Sequence, residues 1–264
     1  MLETVDVFEY DARREVVSND SNVHDDASRG DVAWLGRHLI GICENEGWTC
    51  QIEEGSGLWK ETMLKQQGWI NPTFDPEKSI VDESNTASVV IRDADSDFVA
   101  CNALRLFVTK SFREVIRTGE LFYGPSMRLI NGLPMILPED FEDFSGRVGY
   151  SGGTLISPRY RGKRLGLLTT RFVRLLADRW FDASHHARHI FQNRPLDPWP
   201  RHPYHFTRCT PCLPALEIPD RSQSQLLFLV DISQAEFLAQ VRRNVRKLVR
   251  EGDQTLDDLA LLVP

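Results

Sequence analysis

The stretch that decides the fold is VGYSGGTLISPRYRGKRLGLLTTRFVRLLADRW, residues 148–180. It opens with an extended, β-prone run (Val148–Ile156), passes through a basic turn (Ser157–Arg164) and continues as a helix (Leu165–Trp180). Apolar residues recur three and four positions apart along the helical part, as expected for an amphipathic helix. These residues are Leu165, Leu168, Phe172, Leu175 and Leu176. The sequence therefore predicts a strand–turn–helix unit.

The basic turn has the composition of an anion site. Arg159, Arg161, Lys163 and Arg164 fall within six residues of a chain whose net charge is −7. The first turn of a helix offers free N–H groups and the positive end of the helix dipole, which attract phosphate. Arginine and lysine add charge-assisted hydrogen bonds. The turn therefore predicts a phosphate-bearing ligand; the alternative is a basic turn that is merely solvated.

Two common phosphate-binding motifs are excluded. The helix does not open with GK[ST], as a Walker A loop would, and no GxGxxG precedes it. Gly149, Gly152 and Gly153 lie inside the predicted strand instead. Glycines in such a position mark a bulge or a close approach of another group to the backbone.

The rest of the chain predicts further helices and strands in alternation. A first helix is expected to begin after its N-cap, Asp31, and to end at Gly47. Further helices are expected over Leu58–Gln67, within 111–121 and over Ser233–Arg250. Strands are expected near Thr4–Tyr10, as a hairpin of Ser88–Arg92 with Phe98–Val108, at His189–Asn193, and as a pair of Phe206–Ile218 with Gln223–Ile232. This mixture indicates an α/β or α+β fold with a mixed sheet.

The segment Leu155–Gly166, LISPRYRGKRLG, resembles motif A of the GNAT superfamily of acyl-CoA-dependent N-acyltransferases, roughly V-x-P-x-[YF]-[RQ]-x-x-G-x-[GA]. Arg164 departs from the motif, because the family has its first glycine there. The resemblance implies a mostly antiparallel mixed sheet flanked by helices. It covers residues 85–232 as an acyltransferase core. Residues 1–84 would be an N-terminal helical and loop extension packed on this core, and 233–264 a C-terminal helical segment.

The resemblance also implies a cofactor and its contacts. The cofactor would be acetyl-CoA or another acyl-CoA, held where the fourth and fifth strands splay apart. By position in the motif, the residues expected at the cofactor are Leu155, Ile156, Arg161, Gly162, Lys163, Arg164, Leu165 and Gly166, with Asn193 after the fifth strand. A backbone N–H near Leu155 or Ile156 would polarise the thioester carbonyl.

The implied activity is N-acyl transfer, most simply N-acetyl transfer, by direct attack of a small-molecule or peptide amine. Tyr204 lies close to the family's tyrosine acid, although Arg201 occupies the matching register. Tyr150 and Ser151 on the fourth strand are candidates for the base, as are the carboxylates of 139–143. Two alternatives stay open: a degenerate module that binds CoA without catalysis, and a synthase that takes its acyl group from a carrier protein.

Other features argue against further classes. No apolar run approaches the roughly 20 residues of a membrane span, and the acidic start MLETVDVFEY has no signal-peptide core. Five cysteines and the net charge predict a cytoplasmic protein that does not bind nucleic acid.

Two clusters remain that suggest alternative roles. The run His202, His205, Cys209 and Cys212 has zinc-ligand types at unsuitable spacing, so we interpret it as thiols and surface histidines and expect no metal. The histidines at 185, 186 and 189 are interpreted as helix-capping residues. The apolar stripe of the last helix either docks on the core or forms a homodimer seam, and its arginines form a solvated face.

Overall fold

The computed structural model describes residue 8 and residues 23–122, 137–192, 204–212 and 226–262. The helices are α1 (Val23–Asn45), α2 (Gly57–Gln67), α3 (Phe112–Arg117), α4 (Leu165–Phe181), α5 (Gln234–Glu251) and α6 (Asp258–Leu261). The strands are β1 (Thr49–Glu54), β2 (Thr86–Arg92), β3 (Phe98–Thr109), β4 (Gly146–Ile156), β5 (His185–Gln192), β6 (Arg208–Cys212) and β7 (Leu226–Ser233).

These strands form one mixed sheet in the order β1-β2-β3-β4-β5-β7-β6. Every neighbouring pair is antiparallel except β4 and β5, which run parallel because α4 connects them as a crossover. The predicted fold class, a mostly antiparallel mixed sheet flanked by helices, is confirmed.

Helices cover both faces of the sheet. On one face α1, α4 and α5 bury side chains such as Leu35, Leu168 and Phe237 in one apolar cluster. On the other face α2 and α3 contribute Trp59 and Phe112 to a second cluster. Each strand thus presents alternate residues to two different interiors. None of the described helices is long and apolar enough to cross a membrane.

Several sequence expectations need correction. Strand β1 was not predicted from the sequence, and it forms the edge of the sheet beside β2. Helix α1 begins at Val23, so Asp31 is not its N-cap; its carboxylate instead lies 3.6 Å from Arg242 Nε. The histidines at 185 and 186 do not cap α4, because β5 begins at His185. The strand expected near Thr4–Tyr10 lies outside the described residues, Phe8 excepted.

Helix α5 settles how the C-terminal segment is placed. Its N-terminus carries a capping box, in which Ser233 and Glu236 satisfy each other's backbone N–H groups. Phe237, Val241 and Leu248 are buried against the core, and Arg242 donates to Ser28 Oγ of α1 at 3.1 Å. The apolar stripe of this helix therefore packs within its own chain.

Candidate functional site

Strands β4 and β5 pair only over part of their length. Their ladder runs from Val148 with His185 to Ser151 with Arg188, yet β4 continues to Ile156 and β5 to Gln192. The side chains of β4 are buried from 148 to 152 and only partly buried from 153 to 156. Beyond Ser151 the two strands therefore diverge and leave an opening on the β5 side of β4. We call this the β4–β5 opening.

A bulge in β4 lies where the opening begins. The register between β3 and β4 shifts opposite Cys101–Ala103, and Gly153 has the positive φ of 62°. Trp59 Nε1 donates to the carbonyl oxygen of Gly153 at 2.9 Å, and its ring lies where a Cβ on Gly153 would go. The predicted bulge and close approach are thus both confirmed.

The backbone direction after the bulge follows from one hydrogen bond. Ser157 N–H donates to the carbonyl of Val99, the residue following β3's start, at 2.9 Å. Peptide groups in an antiparallel ladder point alternately towards and away from the partner strand. Leu155 therefore directs its N–H to β3, while Ile156 directs its N–H away from β3, towards the β4–β5 opening. Of the two predicted oxyanion donors, Ile156 has the suitable direction.

The basic turn joins β4 to α4 at the same end of the sheet. A short 3-10 helix, Pro158–Tyr160, buries the Tyr160 ring against Trp48. After it, the residues from 161 to 164 are exposed. Gly162 has a φ of 87° and Arg164 a φ of 59°, both in the left-handed region. Arg164 thus adopts the conformation that glycine favours, at the position where the resembled motif has glycine.

This turn leaves donors available to an anion. In the described part of the chain, the backbone N–H groups of 162–166 make no hydrogen bond, whereas those of Leu167 and Leu168 donate to the Arg164 carbonyl. Lys163 Nζ lies 4.0 Å from Glu46 and 5.7 Å from the ring centroids of Trp48 and Tyr160, and it remains about half exposed. Exposed cations beside free amides suit a diphosphate.

Among the described residues, Arg188 and Tyr204 have side chains at the β4–β5 opening. Arg188, the last residue of β5 that pairs with β4, donates from Nη2 to Thr154 Oγ1 of β4 and from Nη1 to Thr170 Oγ1 of α4, both at 2.7 Å. Its guanidinium lies 4.7 Å from the centroid of the Tyr204 ring. The Tyr204 hydroxyl in turn lies over Gly166, 3.0 Å from where a Cβ would be. Tyr204, the predicted acid, therefore lies at the first turn of α4.

Tyr150, the other catalytic candidate, lies on the opposite face of the sheet. Its hydroxyl is 3.0 Å from His189 Nδ1, and His189 Nε2 is 3.7 Å from Cys212 Sγ. Burial raises the pKa of Tyr150 well above its usual value and lowers the pKa of His189 to about 3. Burial also raises the pKa of Cys212 to about 12. At neutral pH this is a row of three uncharged, hydrogen-bonding groups.

The raised pKa changes the role that Tyr150 can take. A tyrosine that keeps its proton at neutral pH is a poor base, and the raised pKa also makes it a weaker acid than an exposed tyrosine. Its neighbour Ser151 is buried, and its hydroxyl finds no partner within the described residues. The hydroxyl of Tyr150 is therefore a hydrogen-bond donor rather than a base at neutral pH.

The remaining candidates are distributed elsewhere. Asn193 lies outside the described residues, as does His202. The carboxylates of 139–143 precede β4 and so lie at the opposite end of the strand from the basic turn; Asp143 accepts from Ser111 Oγ and caps α3. His205 Nδ1 is 2.6 Å from Arg171 Nη2. No group of three or more potential metal ligands occurs among the described residues.

Sequence reasoning missed Arg188, Thr154 and His189 as neighbours of the site. Nothing in HHARHIFQ distinguishes an arginine inside the sheet from one on its surface. Only the alternation of side chains along the strand could have assigned Arg188 to one face of the sheet, since Arg188 and His189 must point to opposite faces. Because the sequence predicted that β5 begins at His189, Arg188 lay outside the predicted strand and its face could not be assigned.

No protein-family model and no curated protein sequence matches this chain. Solved structures of Vibrio cholerae spermidine/spermine N-acetyltransferase SpeG are similar to it at low levels. Mutant forms of SpeG are 12% identical over 80% of this chain and 92% of theirs, with a TM-score of 0.35. The manganese complex is 13% identical over 74% and 97%, with a TM-score of 0.38. A dodecameric spermidine N-acetyltransferase is 10% identical over 73% and 96%, with a TM-score of 0.33. Such values carry no inference about function.

Proposed function

We propose that this protein transfers an acyl group from an acyl-CoA thioester to an amine, most simply an acetyl group from acetyl-CoA. One observation carries the proposal: the exposed basic turn adjoins the β4–β5 opening, and its N–H groups at 162–166 donate to no described residue. An anion site directly beside a gap between strands suits a ligand with a diphosphate and a long, thin arm. The motif resemblance of Leu155–Gly166 supports the same ligand.

The chemistry follows from the groups around the opening. The amine nitrogen attacks the thioester carbonyl, the C–S bond breaks, and the proton lost by nitrogen balances the one that the thiolate takes up. Ile156 N–H would stabilise the carbonyl oxygen as its charge develops. Tyr150 would donate a hydrogen bond to the departing sulfur, which takes up a proton as the amine nitrogen loses one. Fixed orientation supplies much of the acceleration.

Calorimetry with CoA tests the binding part of this proposal. Reversing two charges with Arg161→Glu and Lys163→Glu should weaken CoA binding by a factor on the order of a hundred, because each cation contributes a charge-assisted contact. The matched control reverses Lys110 and Arg246 to glutamate, which changes the net charge equally at exposed sites elsewhere. Equal CoA affinity in both double variants and the natural protein would contradict the proposal.

A second candidate is a module that binds CoA without catalysis. It is favoured by the position of Arg188 and Tyr204, which partly fill the β4–β5 opening. Release of free thiol from acetyl-CoA in the presence of a panel of amines separates the two. Amine-dependent release supports transfer; tight CoA binding without release supports the module.

A further inference from the structure

Arg188 is a buried cation whose contacts with the described residues are uncharged. Its exposed fraction is 7%, and its contacts are the hydroxyls of Thr154 and Thr170 and the ring of Tyr204. Its Nε has no hydrogen-bond partner, and no carboxylate of the described residues lies within 4 Å of its guanidinium. Within the described part of the chain, the charge is therefore held inside the protein without a counter-charge.

Such an arrangement is costly unless an anion completes it. Removing a charged group from water is unfavourable, and pairing with an opposite charge is the usual compensation. Two other buried arginines on the same side of the sheet, Arg171 and Arg174, add to the positive potential. Arg174 lies between the rings of Phe206 and Phe237 and so has a packing role. Arg188 differs from it, because it lies at the inner end of the β4–β5 opening.

We infer that the β4–β5 opening recognises a substrate carboxylate and that Arg188 is the residue that binds it. The inference rests on the proposed function and names its substrate class: substrates that carry a carboxylate near the reacting carbonyl. Thr154 and Thr170 hold the guanidinium from two sides, so that its orientation is fixed before a ligand enters. A guanidinium in this position suits a carboxylate, which it can bind through two parallel hydrogen bonds.

The carboxylate has two chemical sources, and a binding experiment separates them. In the first arm, calorimetry compares succinyl-CoA with butyryl-CoA, which carries a methyl group in place of the carboxylate, and with CoA alone. In the second arm, thiol release from acetyl-CoA compares amino acids with the amines that lack their carboxylate. We expect about a tenfold or larger preference for the carboxylate form in one arm, the size typical of a charged hydrogen bond.

Substitutions of Arg188 test whether this residue is the source of the preference for a carboxylate. In the arm that shows a preference, Arg188→Gln should bring the ratio between the carboxylate-bearing and the carboxylate-free compound close to one. Arg188→Lys should retain part of the preference. Arg105→Gln is the matched control, since Arg105 is also buried but lies on β3, against Phe107. The two preferences for a carboxylate are measured on the natural protein itself, so the test remains possible even if a variant does not fold.

The outcomes distinguish the two proposals. CoA binding with both ratios near one would overturn the carboxylate inference and leave the acyltransferase proposal standing. A preference that persists in Arg188→Gln would also overturn it. Absence of CoA binding would overturn both.

Discussion

The phenolic hydroxyl of Tyr160 donates a hydrogen bond to Asp93 Oδ2 at 2.6 Å. This contact joins the basic turn to the turn between β2 and β3, because Asp93 also accepts the N–H groups of Asp95 and Asp97. The hydrogen bond from Tyr160 lowers the pKa of Asp93, so the carboxylate stays ionised at neutral pH. The backbone that presents the free N–H groups is therefore held in place from outside the turn.

Tyr160→Phe should loosen the basic turn and weaken CoA binding by several-fold, since an anion site depends on donors that are already oriented. Calorimetry with CoA measures the effect. Asp95→Asn is the control, because the Asp95 side chain is exposed in the same turn and is not bonded to the basic turn. Unchanged affinity in Tyr160→Phe would mean that the turn keeps its shape without this contact.

Arg164→Gly should stabilise the protein. Arg164 has a φ of 59°, which costs a side-chain-bearing residue about 1–2 kcal/mol, and glycine adopts this conformation freely. The greater freedom of glycine in the unfolded chain offsets part of the gain. We expect the free energy of unfolding to rise by about 0.5–1 kcal/mol in urea titrations. Arg164→Ala, which keeps the strain, should show no such rise; equal stability of the two variants would refute the argument.

The strand–turn–helix unit could be predicted from sequence because its signals are local. The period of Leu165, Leu168 and Phe172 defines α4, and the glycines of β4 mark its bulge. The contacts between residues at the β4–β5 opening could not be predicted in this way. Thr154 meets Arg188 only through the relative placement of β4 and β5, which lie 34 residues apart in this contact. Strand β1 was missed for a similar reason, since its edge position depends on pairing with β2 rather than on a strong pattern of its own.

Gly153→Ala should destabilise the protein markedly. The positive φ disfavours any side chain, and the new methyl group would collide with the Trp59 ring, whose Nε1 is bonded to the same residue. Together these effects should cost about 2–4 kcal/mol of unfolding free energy. Gly57→Ala provides the control, because a Cβ at this α2 position meets nothing within 4 Å. If both variants unfold alike, the bulge is not held as described.

Tyr150→Phe should lower kcat for thiol release on the order of a hundredfold, because it removes a hydrogen-bond donor to the departing sulfur and leaves the ring packing in place. The KM for acetyl-CoA should change little, since the basic turn is untouched. Tyr160→Phe provides the opposite signature, with the larger effect on acetyl-CoA binding. A Tyr150→Phe enzyme with undiminished kcat would exclude this hydroxyl as a donor to the departing sulfur.

The lowered pKa of His189 predicts that the stability of the protein depends on pH. Its folded pKa of about 3 lies below the ordinary value of 6.5, so between these values the unfolded chain binds more protons than the folded one. Stability contributed by the neutral ring is complete above pH 6.5 and is lost as the pH falls through this window. For one such group the loss from pH 7 to pH 5 is about 2 kcal/mol.

The variant His189→Gln isolates that contribution. Urea titrations at pH 7 and pH 5 should show the natural protein losing about 2 kcal/mol more than the variant, since glutamine does not titrate. His186, whose pKa burial lowers, and Asp231, whose pKa burial raises to about 6, act in opposite directions, but both are present in the two proteins and cancel in the difference. Equal losses would show that folding does not lower the pKa of His189, and would contradict the burial of a neutral ring beside Tyr150.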